Sequence, residues 1–374
     1  MTQPSHKHVD VVLFGLGALG SRVIDCLRAD HPLISIVGAV DRDPAKAGKT
    51  LGALYPGLTN GANVVIVPSL RACLDGLKVA PTVIYHMTES EPAHIEEQLT
   101  EALSAGANVI SGSEAMFHPG LRHAAFTARI DATARNAGVS ITGVGINPGF
   151  SFDALPLMLA RVTSDVSAVH ISRCIDVTGT GPGDIDHVGY GLTPEDFHKK
   201  IASGRIVGHM GMPDSIAAVA ERLNMDIDAI DERWETSTAT FPVDSGVPAL
   251  GMIEPGRVIG ITQTGRGLKG GEPVITMSLI MYYQPEMHGL EIVDEIEIVG
   301  AHHVRAALKP AAISIFGAAN AIVSTTHDLV AAEPGLVSML DFSIAGVQRG
   351  GFRYVVDETR GARPGYVALQ RAPI

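Results

Sequence analysis

Val9-Asp10-Val11-Val12-Leu13-Phe14-Gly15-Leu16-Gly17-Ala18-Leu19-Gly20 decides the fold. Val9 to Phe14 is a nearly continuous apolar run of the kind that forms a buried strand, and it leads directly into G-x-G-x-x-G. Val23, Ile24 and Leu27 then mark a helical stretch, and Ile34 to Val40 is a second strand-like run. Strand, glycine turn, helix and strand together predict a βαβ unit that binds a dinucleotide. Gly15 permits the tight turn, Gly17 lets a pyrophosphate approach the backbone, and Gly20 allows close helix–strand packing. Leu16, Ala18 and Leu19 complete the turn, and the helix start offers unpaired N–H groups to the anion. Asp41 ends the second strand, 21 residues past Gly20, where a carboxylate accepts hydrogen bonds from the adenosine ribose hydroxyls. Arg42 follows at once, with Lys46 and Lys49 close behind. Asp41 disfavours a 2′-phosphate, whereas Arg42 can stack on adenine or bind one. The reading leans to NAD and leaves NADP open.

The same alternation continues outward. Thr82 to Tyr85 reads as strand, Ser90-Glu91-Pro92 as the start of a helix bearing Ile95, Leu99 and Leu103, and Gly106 as its stop. Asn108-Val109-Ile110 resumes as strand, Phe126 to Ala137 as helix, and Val139 to Thr142 as strand. Strands separated by such helices need parallel crossovers, so residues 1–150 predict a doubly wound parallel sheet. Beyond Pro148 the texture changes. Val166 to Val177, Arg257 to Thr264, Pro273 to Tyr283 and Ile292 to Val299 are longer strand-like runs without regularly interleaved helices. They predict a second, α+β domain over residues 151–304, built on an open, mostly antiparallel sheet. A helix is expected near Asp214 to Leu223, capped by Asp214 or Ser215, and another over Ala311 to Val330. Residues 305–342 are expected to pack back on the first domain, and 343–374 form an extension.

Composition excludes several functions. With 28 basic and 40 acidic side chains, the formal charge of -12 repels nucleic-acid backbones and anionic membranes. There is no apolar run of the roughly 18 residues that a membrane span needs, and the polar start lacks a signal-peptide core, which predicts a cytoplasmic protein. Cys26, Cys73 and Cys174 are scattered without C-x-x-C spacing, which argues against a disulfide framework or a zinc site.

Several polar residues stand where ligands bind, at the carboxyl ends of predicted parallel strands. Met87 and Thr88 follow one strand, and Thr88 suits either the nicotinamide ribose or a capping role. Glu114 follows the next, as a candidate catalytic acid or as an acid favoured at a helix start. Asn147 follows the third and can hydrogen-bond the carboxamide or the substrate, with Pro148 stiffening the turn. In the second domain His209 lies between Gly208 and Gly211 and is a candidate to face the substrate. Arg173 is a candidate partner for a substrate carboxylate, or else a sheet-surface charge. Asp184, Asp186, His187 and Tyr190 match no compact metal-ligand spacing, so no metal is expected.

Several segments, in order and spacing, resemble one family. They are Val37-Gly-Ala-Val-Asp41-Arg-Asp-Pro-Ala-Lys46, Asn108-Val-Ile-Ser-Gly-Ser-Glu114, Gly143-Val-Gly-Ile-Asn147-Pro-Gly-Phe150, Gly208-His-Met-Gly-Met-Pro-Asp-Ser215, and Ala318-Ala-Asn320 ahead of Pro334-Gly-Leu336. The chain is similar to the 2,4-diaminopentanoate dehydrogenase and native amine dehydrogenase group, within the dihydrodipicolinate-reductase-like superfamily. The resemblance implies a Rossmann domain with an inserted substrate and dimerisation domain. It also implies NAD(P)-dependent deamination of a small amine, or reductive amination of a carbonyl with ammonia, in a homodimer. It adds Asn320 as a cofactor contact and Phe150 as a substrate contact. Where members of the group carry paired acids, this chain has Glu114 followed by Ala115. His302-His303 lacks the lysine and Pro-Ser-Gly-Thr segment of true dihydrodipicolinate reductases. Two other readings stay open: reduction of another C=N or C=O group, and a nicotinamide-binding sensor without turnover.

Overall fold

The computed structural model describes residues 8–29, 31–178, 188–206 and 208–342, together with the backbone of two strands near the C-terminus. The chain divides into two compact units. The first comprises residues up to 113, 125–143 and those from 318 onward; the second comprises 114–124 and 144–317.

The first unit is built on β1 (Val9–Phe14), β2 (Ile34–Val40), β3 (Ile66–Val67), β4 (Val83–His86), β5 (Asn108–Ser111) and β6 (Ser140–Gly143). With β15 (Gly335–Leu336) they make a seven-stranded sheet in the order β3-β2-β1-β4-β5-β6-β15. Every pairing in it is parallel. Helices Ala18–Cys26, Pro92–Ser104 and Ala124–Ala137 supply the crossovers that parallel pairing requires. The order reverses between β1 and β4, so the glycine turn after β1 lies at the switch point where doubly wound sheets bind ligands. Thr50 and Ser69 cap short helices by accepting from the amides of Ala53 and Ala72, whereas Ser90 is displaced from the cap by Glu91.

The second unit holds β7 (Ala168–Asp176), β8 (Ala229–Thr238), the short pair β9 (Val243–Asp244) and β10 (Met252–Ile253), β11 (Val258–Lys269), β12 (Glu272–Tyr282), β13 (Val293–Val299) and β14 (Val304–Leu308). Six of them form one mixed sheet, ordered β14-β13-β7-β12-β11-β8, in which only β7 and β12 run parallel. Helix Met212–Leu223 packs on β11 at Gly265 and Gly267, where an added methyl would press on Met212 and Ile216. Farther along the chain, β16 (Phe352–Val356) and β17 (Leu369–Pro373) pair antiparallel.

Three local expectations are corrected. Gly211, not Asp214 or Ser215, caps helix Met212–Leu223, because Pro213 fits the first turn and both polar side chains bond elsewhere. The expected helix Ala311 to Val330 begins only at Ser314 and is two helices, Ser314–Ser324 and Thr326–Val330. The Thr326 hydroxyl at this break lies 2.6 Å from Tyr85 Oη. Finally, β8 and β14 are strands that the hydrophobic pattern hides. They are the sheet edges, and Asp231, Glu232, Arg233, Glu235 and Arg305 give them the charge that discourages edge-to-edge aggregation.

Candidate functional site

In the first unit the three glycines have three distinct environments. Gly15 takes φ +98°, and a Cβ there would lie 2.5 Å from the Met87 carbonyl oxygen. A Cβ on Gly20 would collide with the carbonyl of Gly15. At Gly17, which caps the helix, a Cβ would meet nothing within 4 Å. The first and third glycines therefore serve packing. The second leaves open space over the start of the helix, as a pyrophosphate requires.

Asp41 is largely buried, at 9% exposure. Its Oδ2 accepts from the Leu16 amide at 2.9 Å and from Lys46 Nζ at 2.8 Å, while Oδ1 accepts from the Asp43 amide at 2.9 Å. Lys46 Nζ also donates to the Leu16 carbonyl at 2.9 Å. The acid expected to receive ribose hydroxyls thus also locks the glycine turn to the end of β2. Burial pushes its pKa up, but Lys46 and the two amides outweigh this and keep it below the usual aspartate value. Arg42 is exposed beside this cluster.

Met87 is buried and lends its backbone to the Gly15 contact. Thr88 is exposed, but its hydroxyl lies 2.9 Å from His86 Nε2 and donates to Gln98 Oε1 at 2.8 Å. His86 also contacts the Ser111 hydroxyl at 2.9 Å, and burial pushes its pKa down to about 4, so its ring is neutral at pH 7. Thr88 belongs to this network at the end of β4. Asn320 stands exposed on helix Ser314–Ser324.

The second unit gathers three of the polar candidates. Glu114 opens a short 3-10 turn, Glu114–Met116, with a third of its side chain (34%) accessible. His209 Nδ1 lies 3.3 Å from Glu114 Oε2, and the Gly211 amide donates to the same oxygen at 3.2 Å. His209 Nε2 lies 3.3 Å from Asn147 Nδ2. An ionised carboxylate only accepts, so His209 Nδ1 carries the hydrogen of that contact, and Asn147 turns its Nδ2 towards Nε2. This leaves Asn147 Oδ1 buried without a partner among the described residues. Burial pushes the Glu114 pKa up, but attraction to His209, its hydrogen bond and the amides of Gly211 and Met210 outweigh it. The carboxyl is held below its ordinary value and is ionised at neutral pH.

The supports of this cluster were not singled out from the sequence. Gln263, fully buried on β11, accepts from the His209 amide at 2.7 Å and donates to the His209 carbonyl at 2.9 Å and to Glu232 Oε1 at 2.8 Å. Arg122 grips the Met210 carbonyl at 2.8 Å and Asp214. Asp153 accepts from the Gly149 amide at 2.9 Å and the Ser215 hydroxyl at 2.8 Å, tying the Asn147-Pro148-Gly149 turn to helix Met212–Leu223. Pro148 is buried against Gly211, and Phe150 is half-buried in the same turn. One signal was available: Gln263 interrupts an inward-facing row that otherwise reads Ile259, Ile261, Gly265 and Gly267.

Arg173 is removed from the candidates. It is fully buried, and Nη1 meets Asp294 Oδ1 at 2.5 Å and Oδ2 at 2.6 Å. Ser151 Oγ, Ser314 Oγ and the Ala312 carbonyl take further N–H groups. A guanidinium committed to an internal carboxylate cannot also hold a substrate one. Asp184, Asp186 and His187 lie outside the described residues, and His302 and His303 are exposed between β13 and β14. No group of three His, Cys, Asp or Glu side chains among the described residues could hold a metal ion. No helix among them is long and apolar enough to cross a membrane.

A dinucleotide cradle on a doubly wound sheet, with a carboxylate–imidazole–amide cluster in a second α+β unit, defines a nicotinamide-dependent dehydrogenase. Residues 150–358, over half of the chain, match the family model for the 2,4-diaminopentanoate dehydrogenase C-terminal domain, and the chain belongs to that family. It is an oxidoreductase acting on CH–NH2 groups. It is 28% identical over 357 residues to the 2,4-diaminopentanoate dehydrogenase of Acetoanaerobium sticklandii, covering 94% of this chain and 98% of the relative. An amine dehydrogenase of Streptomyces virginiae is 24% identical over 358 residues, covering 90% and 96%. Among solved structures, an amine dehydrogenase from Mycobacterium smegmatis superposes with a TM-score of 0.78 at 23% identity, covering 92% of this chain and 99% of that one.

Proposed function

We propose that the chain catalyses reversible NAD(P)-dependent oxidative deamination of a small amine or diamine, with Glu114 as the general base. The observation that carries this reading is the ionised Glu114 carboxylate, held by His209 and two loop amides in the same cluster as Asn147, whose buried Oδ1 has no partner among the described residues. A dinucleotide held over the turn Gly15 to Gly20 and against Asp41 would supply the nicotinamide ring as hydride acceptor or donor.

The remaining steps are proton management by this chain. Glu114 takes a proton from the substrate ammonium, freeing the lone pair that assists departure of hydride. After oxidation it gives that proton to solvent, accepts another from the water that attacks the iminium carbon, and returns it to the carbinolamine nitrogen, so that ammonia leaves and the carbonyl remains. Asn147 Oδ1 accepts an N–H of the bound ligand, and Asn147 Nδ2 steadies the His209 ring that faces Glu114. Phe150 supplies apolar contact to the substrate, and Met87, Thr88 and Asn320 contribute to the cofactor side.

NAD is the favoured cofactor through Asp41, and the Lys46 and Arg42 charges beside it leave NADP usable. The enzyme works as a homodimer. On the open sheet, Thr262, Thr264, Thr276, Ser278 and Ile280 are only part-buried, and a second copy would cover that face. Cys26, Cys73 and Cys174 form no disulfide among the described residues, which suits the reducing cytoplasm.

Oxidation of NADH or NADPH followed at 340 nm, with ketones and aldehydes and with or without ammonium, tests the reaction. Ammonium-dependent turnover that falls by at least about a hundredfold in Glu114→Gln is expected. Turnover indifferent to ammonium would replace this reading with reduction of another C=O group.

A further inference from the structure

We infer that Gln263, held in turn by Glu232, is a positioning residue for the amine chemistry: it splints the loop 208–211, whose amides and His209 ring hold the Glu114 carboxylate. This rests on the reading of Glu114 as the base.

A fully buried glutamine in an apolar sheet row needs partners for its amide, and Gln263 finds three within 2.9 Å. Two of them are the amide and carbonyl of one residue, His209. The side chain therefore grips the loop as a neighbouring strand would, fixing the peptide planes on both sides of the histidine. Glu232 determines which way the amide faces. Its carboxylate accepts from Gln263 Nε2, so Oε1 must point at the His209 amide. Reversal would set the Gln263 oxygen against both the Glu232 carboxylate and the His209 carbonyl.

The loop is shaped to this clamp. Gly208 takes φ +59°, and a Cβ there would lie 2.6 Å from Gln263 Oε1 and 2.8 Å from Trp234 Nε1. Only glycine lets the backbone lie that close. The next residues deliver the functional contacts: His209 Nδ1 and the Gly211 amide both reach Glu114 Oε2. Arg122 on the Met210 carbonyl is the second fixed point of the loop. The splint is thus one residue removed from the carboxylate, and Gln263 itself does not touch it.

Loosening the loop weakens the His209, Met210 and Gly211 donors to Glu114 together, while the desolvation that pushes its pKa up stays. The other charges near the loop are Asp153 on the Gly149 turn, Asp214 paired with Arg122, and Glu232 itself. None of the three is a donor able to replace the lost ones.

Gln263→Leu removes all three bonds, and Gln263→Glu keeps the shape but places an acceptor where the donor stood. Each is compared with wild type by carboxyl 13C NMR titration of glutamate-labelled protein, with the Glu114 signal assigned by its absence in Glu114→Gln. The Glu114 midpoint is expected to rise by about one pH unit, the shift that corresponds to a tenfold weaker hold on the charged form. The acidic limb of kcat/KM should move up with it, and kcat should fall more than the amine KM rises. Glu232→Gln retains an acceptor and should shift the midpoint less than Gln263→Leu. A Glu114 midpoint that stays at the wild-type value in both folded Gln263 variants, with only Tm lowered, would overturn the proposal. Undiminished ammonium-dependent turnover in Glu114→Gln would instead overturn the base assignment, and the NMR midpoint would still report on the splint.

Discussion

His209 Nδ1 approaches Glu114 Oε2 to 3.3 Å, joining a loop ahead of one helix to the first residue of a distant 3-10 turn. The pairing fixes a charge state: a carboxylate so held stays ionised below the ordinary glutamate value near 4.5. A group with a depressed pKa contributes stability that is present above its unfolded value and lost as pH falls through the folded one. The acidic limb of kcat/KM is expected below pH 4.5 in wild type and higher in His209→Leu, read from pH–rate profiles with saturating cofactor.

Gly17→Val should weaken dinucleotide binding and spare the fold. A side chain at position 17 meets nothing within 4 Å inside the protein, so it occupies only the ligand's space. NADH fluorescence titration should show Kd raised at least about tenfold, roughly 1.4 kcal/mol, with circular dichroism and Tm unchanged. A matching variant at Gly20, where Cβ collides with the Gly15 carbonyl, should lower Tm as well.

Lys46 neutralises Asp41 at 2.8 Å, and Asp41 is the group that would repel a 2′-phosphate. In Lys46→Ala the affinity for NADPH should fall about tenfold further than that for NADH, the equivalent of one modest charge-assisted contact. Calorimetric titration of both cofactors measures the ratio. An unchanged ratio would remove Lys46 from cofactor selection.

His86 makes the first unit pH-sensitive. Its folded pKa of about 4 lies below the unfolded value near 6.5, so the unfolded chain takes up a proton first as pH falls. The stability from the neutral buried ring is complete above pH 6.5 and shrinks between 6.5 and 4. The loss is at most about 3 kcal/mol, from 1.36 kcal/mol per pH unit. Urea unfolding across this range should show a slope that flattens in His86→Gln.

Arg173 and Asp294 are both completely buried, so removing one strands the other. Asp294→Ala should cost about 3–5 kcal/mol by urea unfolding, while Arg173→Met combined with Asp294→Leu should recover much of it. Cofactor affinity should be unaffected in the double variant if it folds.

The sequence by itself determined what depends on neighbours along the chain. Gly15, Gly17, Gly20 and Asp41 announce their roles because a turn, a helix start and the end of the next strand are all local. The alternation of apolar runs and helical stretches up to Thr142 likewise requires parallel crossovers. Tertiary structure decided the rest. Glu114, Asn147 and His209 were each visible as polar residues in turns, but nothing local shows that they meet. Arg173 read as a ligand or a surface charge until the pairing of β7 with β13 set it against Asp294 inside the protein. Gln263 and Glu232 acquire meaning only when β11 pairs with β8 and brings both to the loop at His209. Backbone propensity and hydrophobic period act over a few residues. Hydrogen bonds between polar side chains far apart in sequence exist only once the sheet register is fixed.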